Sequence, residues 1–133
     1  MITSADMFLP MLDAEPGFRP TWEKFVREWQ DSPEGLPHYL ALGDLACHLI
    51  RLLEVGQTSR FDAVFEVVER WHVQGDRYVR EAATIGLLED LQNLSLHTST
   101  EPNEFLPWLR PASRRFWEKV EAFWRDGTPI TDD

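Results

Sequence analysis

Asp44 and His48 stand four residues apart, on one face of any helix that spans them, a spacing at which two side chains can share a metal ion. A stable site needs a further ligand, and no His-Glu-x-x-His run or His/Cys cluster supplies it. A local hydrogen bond or plain exposure is the expectation for this pair. Cys47 lies inside an apolar run, where a small buried thiol is expected rather than a nucleophile. Glu69 and His72 form a single Glu-x-x-His, whereas carboxylate-bridged metal bundles use two. His38, His72 and His97 have no Ser or Cys beside them in a recognisable nucleophile motif. Glu54, Glu66, Glu69, Glu81, Glu89 and Asp90 could run acid–base chemistry if burial split their pKa values. Arg60, Arg70, Arg77 and Arg80 are interleaved with them, so a solvated acidic face is expected instead. No glycine-rich phosphate cradle is present. No catalytic residue, metal or cofactor is expected, and the chain reads as a non-enzyme.

The elements that carry these residues are helical. The segment from Asp76 to Leu94 has the clearest start signal: Gly75 closes what precedes it and Asp76 can cap. Val79, Ala82, Ala83, Ile85, Leu88, Leu91 and Leu94 recur at three- and four-residue steps, with small residues Ala82, Ala83 and Gly86 inviting close approach by another helix. Upstream, His38 to Val55 reads as a buried helix ended by Gly56, and residues 60–73 as another, capped by Thr58 or Ser59. Pro20 and Pro111 suit first helical positions, and Gly127 a helix end. The short Gly75-Asp76 junction predicts that 60–73 and 77–96 form an antiparallel hairpin against 38–55. The expectation is an all-α fold: one domain over 1–133 with five to six helices, a central antiparallel helical hairpin, and looser ends at 1–17 and 127–133.

Charge narrows the partners. Lys and Arg number 13 against 23 Asp and Glu, a net charge of −10. Phosphate backbones and anionic lipid surfaces both require a positive field, so neither nucleic acid nor membrane is expected. An acidic surface instead accelerates encounter with a basic protein. Six Trp and eight Phe predict a core of large side chains. The aromatic run of Phe105, Trp108, Phe116, Trp117, Phe123 and Trp124 could place a ring at an interface. With one cysteine, no disulfide can form within the chain, and the opening residues MITSADMFLPML carry no basic leader signal. The cytoplasm is the expected compartment.

Two resemblances follow from particular residues. Gly75-Asp76 followed by Val79-Arg80, Ala82-Ala83 and Leu87-Leu88 resembles the second-helix pattern of a HEAT-type repeat, of which one copy is visible. Across roughly 18–124, the segments FRPTWEKFVREW, LPHYLALGDLACHLIRLLEVG, AVFEVVERWHVQGDRYVREAATIGLLEDLQN and FLPWLRPASRRFWEKV resemble a bacterial family of small acidic helical proteins. Its members are similar to immunity proteins of contact-dependent or polymorphic toxin systems. The resemblance implies a protein that binds a basic toxin domain and occludes its active site; a small helical scaffold or adaptor is the alternative. Clustering near the 74–77 junction nominates Glu66, Glu69, Asp76 and Glu81 as partner-binding residues, with Trp108 as an aromatic anchor. A homodimer through an exposed apolar stripe is compatible with the same pattern.

Overall fold

Several helix ends in this chain are set by local chemistry. The computed structural model describes residues 1–133. Seven α-helices run in order: α1 (Phe8–Ala14), α2 (Arg19–Trp29), α3 (His38–Glu54), α4 (Phe61–Gln74), α5 (Arg77–Glu81), α6 (Glu89–Leu91) and α7 (Pro111–Asp126). Helix α3 closes on Gly56 at φ 75°, where the Gln57 N–H reaches the Leu52 carbonyl and the Gly56 N–H that of Leu53, a Schellman arrangement. Asp76 is extended and its carboxylate accepts from the Val79 N–H at 2.9 Å, which starts α5. Gly127, at φ 75°, ends α7. The chain forms a single helical domain without strands, and one isolated parallel bridge joins Ile2 to Gly75. No helix is long and apolar enough to cross a membrane.

The count of seven exceeds the expected five to six because the rod from Arg77 to Leu91 changes pitch. Ala82–Leu88 forms a π-helical stretch between α5 and α6. The wider turn buries Ala82, Ala83 and Thr84, then Gly86, Leu87 and Leu88, and leaves Ile85 between them 39 % exposed. A uniform stripe through Ile85 and Leu94 is therefore not what forms. The rod ends at Leu91 rather than 96, a 3₁₀ turn covers Leu94–Leu96, and Leu94 is 65 % exposed. Small side chains let the rod approach α3: a Cβ on Gly86 would sit 2.9 Å from Leu42 Cδ1 and 3.1 Å from the Tyr39 ring. The π stretch packs most extensively on α3 and also touches α4 and α7, so it is central to the domain.

Residues 1–17 contribute more than a loose end. Met7, Phe8, Met11, Leu12 and Ala14 are buried, and the Trp71 indole N–H donates to the Met7 carbonyl at 3.0 Å. Pro10 is tolerated in α1 because it occupies the first turn, where no intrahelical partner awaits its missing N–H. Neither Thr58 nor Ser59 caps α4, whose N-cap is Arg60 without a side-chain bond. The core itself is aromatic as expected, with Trp71, Trp117, Phe18, Phe61, Phe65 and Phe105 fully buried. Phe61 sits against Phe65, Phe105 and Trp108 at centroid distances of 5.8, 5.9 and 4.9 Å.

Candidate partner-binding surface

The titratable residues separate into groups that the fold satisfies and a group that it does not. Glu69, on α4, accepts the Ala112 N–H at 2.9 Å and the Ser113 N–H at 2.8 Å, capping α7 from 43 residues away. Burial pushes its carboxyl pKa up, but the two amides and the Ser113 hydroxyl outweigh that and hold it below the ordinary value. Asp76 caps α5, and Glu81 accepts the Tyr39 hydroxyl at 3.3 Å. Burial, then the Glu81 charge, pushes that phenol up to about 12. Glu54 accepts from Thr98 and Ser99 and pins the 97–100 loop to the end of α3, which drops its pKa to about 2. Of the five nominated partner residues, Glu66 is exposed and free of such a role, and Trp108 is half-buried edge-on to Phe61.

His72 is enclosed. Its Nδ1 lies 2.9 Å from Ser113 Oγ and its Nε2 3.1 Å from Thr84 Oγ1, while Phe116 stacks on the ring at 4.9 Å. Burial lowers its pKa to about 4. A serine beside a histidine suggests a nucleophile and its base, but Ser113 has no solvent exposure, and so weak a base draws little proton from a hydroxyl. Glu69 and His72 thus serve different partners and form no ligand pair.

His48 turns away from Asp44. Its Nε2 meets Glu15 Oε2 at 2.5 Å, and Arg60 Nε stands 3.9 Å from the other oxygen. Glu15 is only 5 % exposed, at the back of an open groove of about 760 Å3 that Gln57, Thr58 and Ser59 also line. This carboxylate–imidazole pair lies beside a cation. It was not foreseen, since Glu15-Pro16-Gly17 reads only as a turn and its partner is 33 residues away.

The second group runs across α2, α3 and α6, where only Glu28 has a cationic partner, Lys24 at 4.0 Å. Asp44 and Cys47 on α3, Asp90 and Glu89 on α6, and Glu28 on α2 form a continuous acidic seam. Asp90 lies over Gly43: a Cβ there would sit 3.5 Å from Asp90 Oδ2, an ordinary contact. Asp44, Glu89 and Asp90 take no hydrogen bond or ion pair from the rest of the chain. Their pKa values are all raised: Asp44 by burial and then Glu28, Glu89 by burial and then Asp90, and Asp90 by burial. Burial, then Asp44 and Asp90, raises the Cys47 thiol as well. Cys47 is exposed, not buried as expected, because it sits on the seam side of α3 rather than the side that meets the π stretch. Beside the seam, Thr21, Lys24, Phe25, Glu28, Trp29, Leu40 and Asp44 line a groove of about 460 Å3, and Leu40 is 54 % exposed there. Leu40 and Trp29 put apolar surface next to Asp44, Glu28 and Lys24.

These observations define an all-α single-domain protein. The chain belongs to the family described as "Domain of unknown function (DUF7674)", whose model matches residues 8–125. No curated protein and no solved structure matches it.

Proposed function

We propose that the protein is an immunity-type binding module that captures a basic protein domain, a bacterial toxin domain, on the acidic seam and blocks its active site. The observation that carries this reading is the set of carboxylates Asp44, Glu89 and Asp90, none of which takes an ion pair, beside a Glu28 whose one cationic neighbour is Lys24 at 4.0 Å. Clustering like charges in partly buried positions destabilises the free chain, and a cationic partner relieves that strain. Leu40 and Trp29 supply apolar anchors that would set dissociation, while the seam steers association. The exposed Glu66 and Glu81 extend the negative field. In this reading the hairpin of α4 with the 77–91 rod, set against α3, is a rigid frame, and the module works by occlusion in the cytoplasm rather than by catalysis. The adaptor alternative draws on a different surface: Phe123 and Trp124 are both exposed at the end of α7 and could hold a second partner.

Affinity capture from a bacterial host followed by binding kinetics tests the proposal. A basic partner domain that arrests growth when expressed alone and is silenced by co-expression supports it. Asp44→Lys with Asp90→Lys should slow association about tenfold at low salt, and salt should slow the wild-type protein. A partner that is not toxic, captured through Phe123 and Trp124, would establish the adaptor reading instead.

A further inference from the structure

Four of the chain's few cations gather at one place, and the chain's own residues 130–133 lie on it. After Gly127 turns the backbone, Asp126 holds Thr128 through its N–H and hydroxyl, and the chain runs back along α7. Ile130 packs half-buried against the core beside a cavity of about 120 Å3 lined by Arg77, Arg80, Glu81, Thr84, Ile85 and Phe116. Asp132 takes both ends of the Arg80 guanidinium, from Nε at 3.0 Å and from Nη2 at 2.7 Å. Arg80 is aimed in advance, because its Nη1 donates to the Gly75 carbonyl at 2.9 Å. Lys119 Nζ donates to the Thr131 carbonyl at 3.0 Å, to its hydroxyl at 2.9 Å and to Asp133 at 3.4 Å. Lys119 and Arg115 both stand over the Phe116 ring, at 5.2 and 5.0 Å.

No backbone–backbone hydrogen bond holds residues 128–133. The segment is kept in place by side chains alone, in the manner of a bound peptide. We propose that the groove between α5, the π stretch and α7 is a binding site for an acidic peptide with an apolar anchor, and that residues 130–133 occupy it in cis as a displaceable strap. The recognition is legible in the occupant. A fixed guanidinium reads one carboxylate in bidentate fashion, an ammonium reads a backbone carbonyl and a second carboxylate, and an aliphatic side chain two residues earlier fills the floor. The site lies on a different set of residues from the acidic seam and takes ligands of opposite charge, so it stands independently of the toxin-binding reading.

A labelled peptide GTPITDD, blocked at both ends, is the probe, with binding followed by fluorescence anisotropy on the full chain. The cis segment competes at high effective concentration, so the wild-type protein should bind weakly. Loosening the strap with Ile130→Ala and Asp132→Asn should tighten peptide binding about tenfold. In that background Arg80→Gln or Lys119→Gln should abolish it, with circular dichroism checking that each variant remains helical. A peptide with both Asp replaced by Asn should fail to bind. Equal binding to wild-type and loosened protein, binding to neither, or equal binding of the Asn peptide would each overturn the proposal.

Discussion

His72 on α4 and Asp90 on α6 are both titratable residues in helices that contact the π stretch, and the fold treats them oppositely. His72 is enclosed by α4, the π stretch and α7, with a hydroxyl at each ring nitrogen and an aromatic ring on its face. Asp90 sits on the outer side of the same rod, partly buried, beside Glu89 and Cys47, and takes no bond from the protein. A buried polar group with all its partners rigidifies the packing around it. A partly buried carboxylate with none makes the free protein less stable than its neutral equivalent. The first arrangement reports on folding and, under the proposed function, the second reports on binding. Perturbations of the His72 side should therefore move stability, and perturbations of the seam should move affinity.

The largest expected effect is at Leu88, whose side chain is fully buried at the end of the π stretch. Leu88→Ala should destabilise the domain by about 2–5 kcal/mol through lost transfer energy and the cavity left behind. Melting within a degree or two of wild type would break the comparison at its buried end. The next effect is in acid. Folding depresses the His72 pKa from 6.5 to about 4, so the unfolded chain takes up a proton in that interval that the folded chain refuses. Stability should fall as pH drops through this window, by up to about 3 kcal/mol. The raised carboxylates act with the opposite sign. Asp44, Glu89 and Asp90 hold protons better in the folded state, so their contribution rises as pH falls towards the unfolded values of 3.8 and 4.5. Urea titrations from pH 7 to 4.5 should show a net loss that flattens in His72→Leu and steepens when the three carboxylates become amides. An unchanged slope in His72→Leu would assign the acid sensitivity elsewhere.

Glu66 and Glu69 give a matched pair on one helix. Glu69→Ala strips the α7 amides of Ala112 and Ser113 of their acceptor and should destabilise by about 1–3 kcal/mol. Glu66→Ala, one turn earlier and exposed, should stay within about 0.5 kcal/mol. Thermal or chemical denaturation of the two variants separates a carboxylate that caps from one that is free to meet a partner. Equal effects would remove the distinction.

What could be read in advance was what a few neighbouring residues decide. Asp76, Gly56 and Gly127 act on backbone within four residues of themselves, so the ends of α3 and α7 and the start of α5 were legible. The aromatic core was legible because burial is the default for Trp and Phe in a chain this apolar. The candidate sites were not, because their partners lie far apart in sequence: Glu15 with His48 across 33 residues, His72 with Ser113 across 41, Glu69 with Ala112 across 43. The π stretch was hidden for a different reason. Periodicity arguments assume one pitch, and a change of pitch moves Ile85 out and Thr84 in without altering composition. The seam was partly visible as the −10 charge, but its position depended on α6 lying beside α3, which a one-dimensional reading does not contain.

The smallest expected effect on stability falls on the seam, and its sign is its content. Asp90→Asn removes a charge that burial already disfavours, from a position with no donor to lose. Asp44→Asn removes a charge set against burial and Glu28, which together outweigh the favourable Lys24 charge. Each replacement should leave the free protein as stable as wild type or more so at pH 7, by no more than about 1 kcal/mol given their partial exposure. A carboxylate that was structural would behave as Glu69 does and lose stability. A carboxylate kept for a partner should gain stability and lose affinity, the trade-off characteristic of functional surfaces. Denaturation of the two amide variants, alongside their association rates with a captured basic partner, puts both quantities on the same molecules. Loss of stability without loss of association rate would reverse the assignment of the two regions and return the acidic seam to the scaffold.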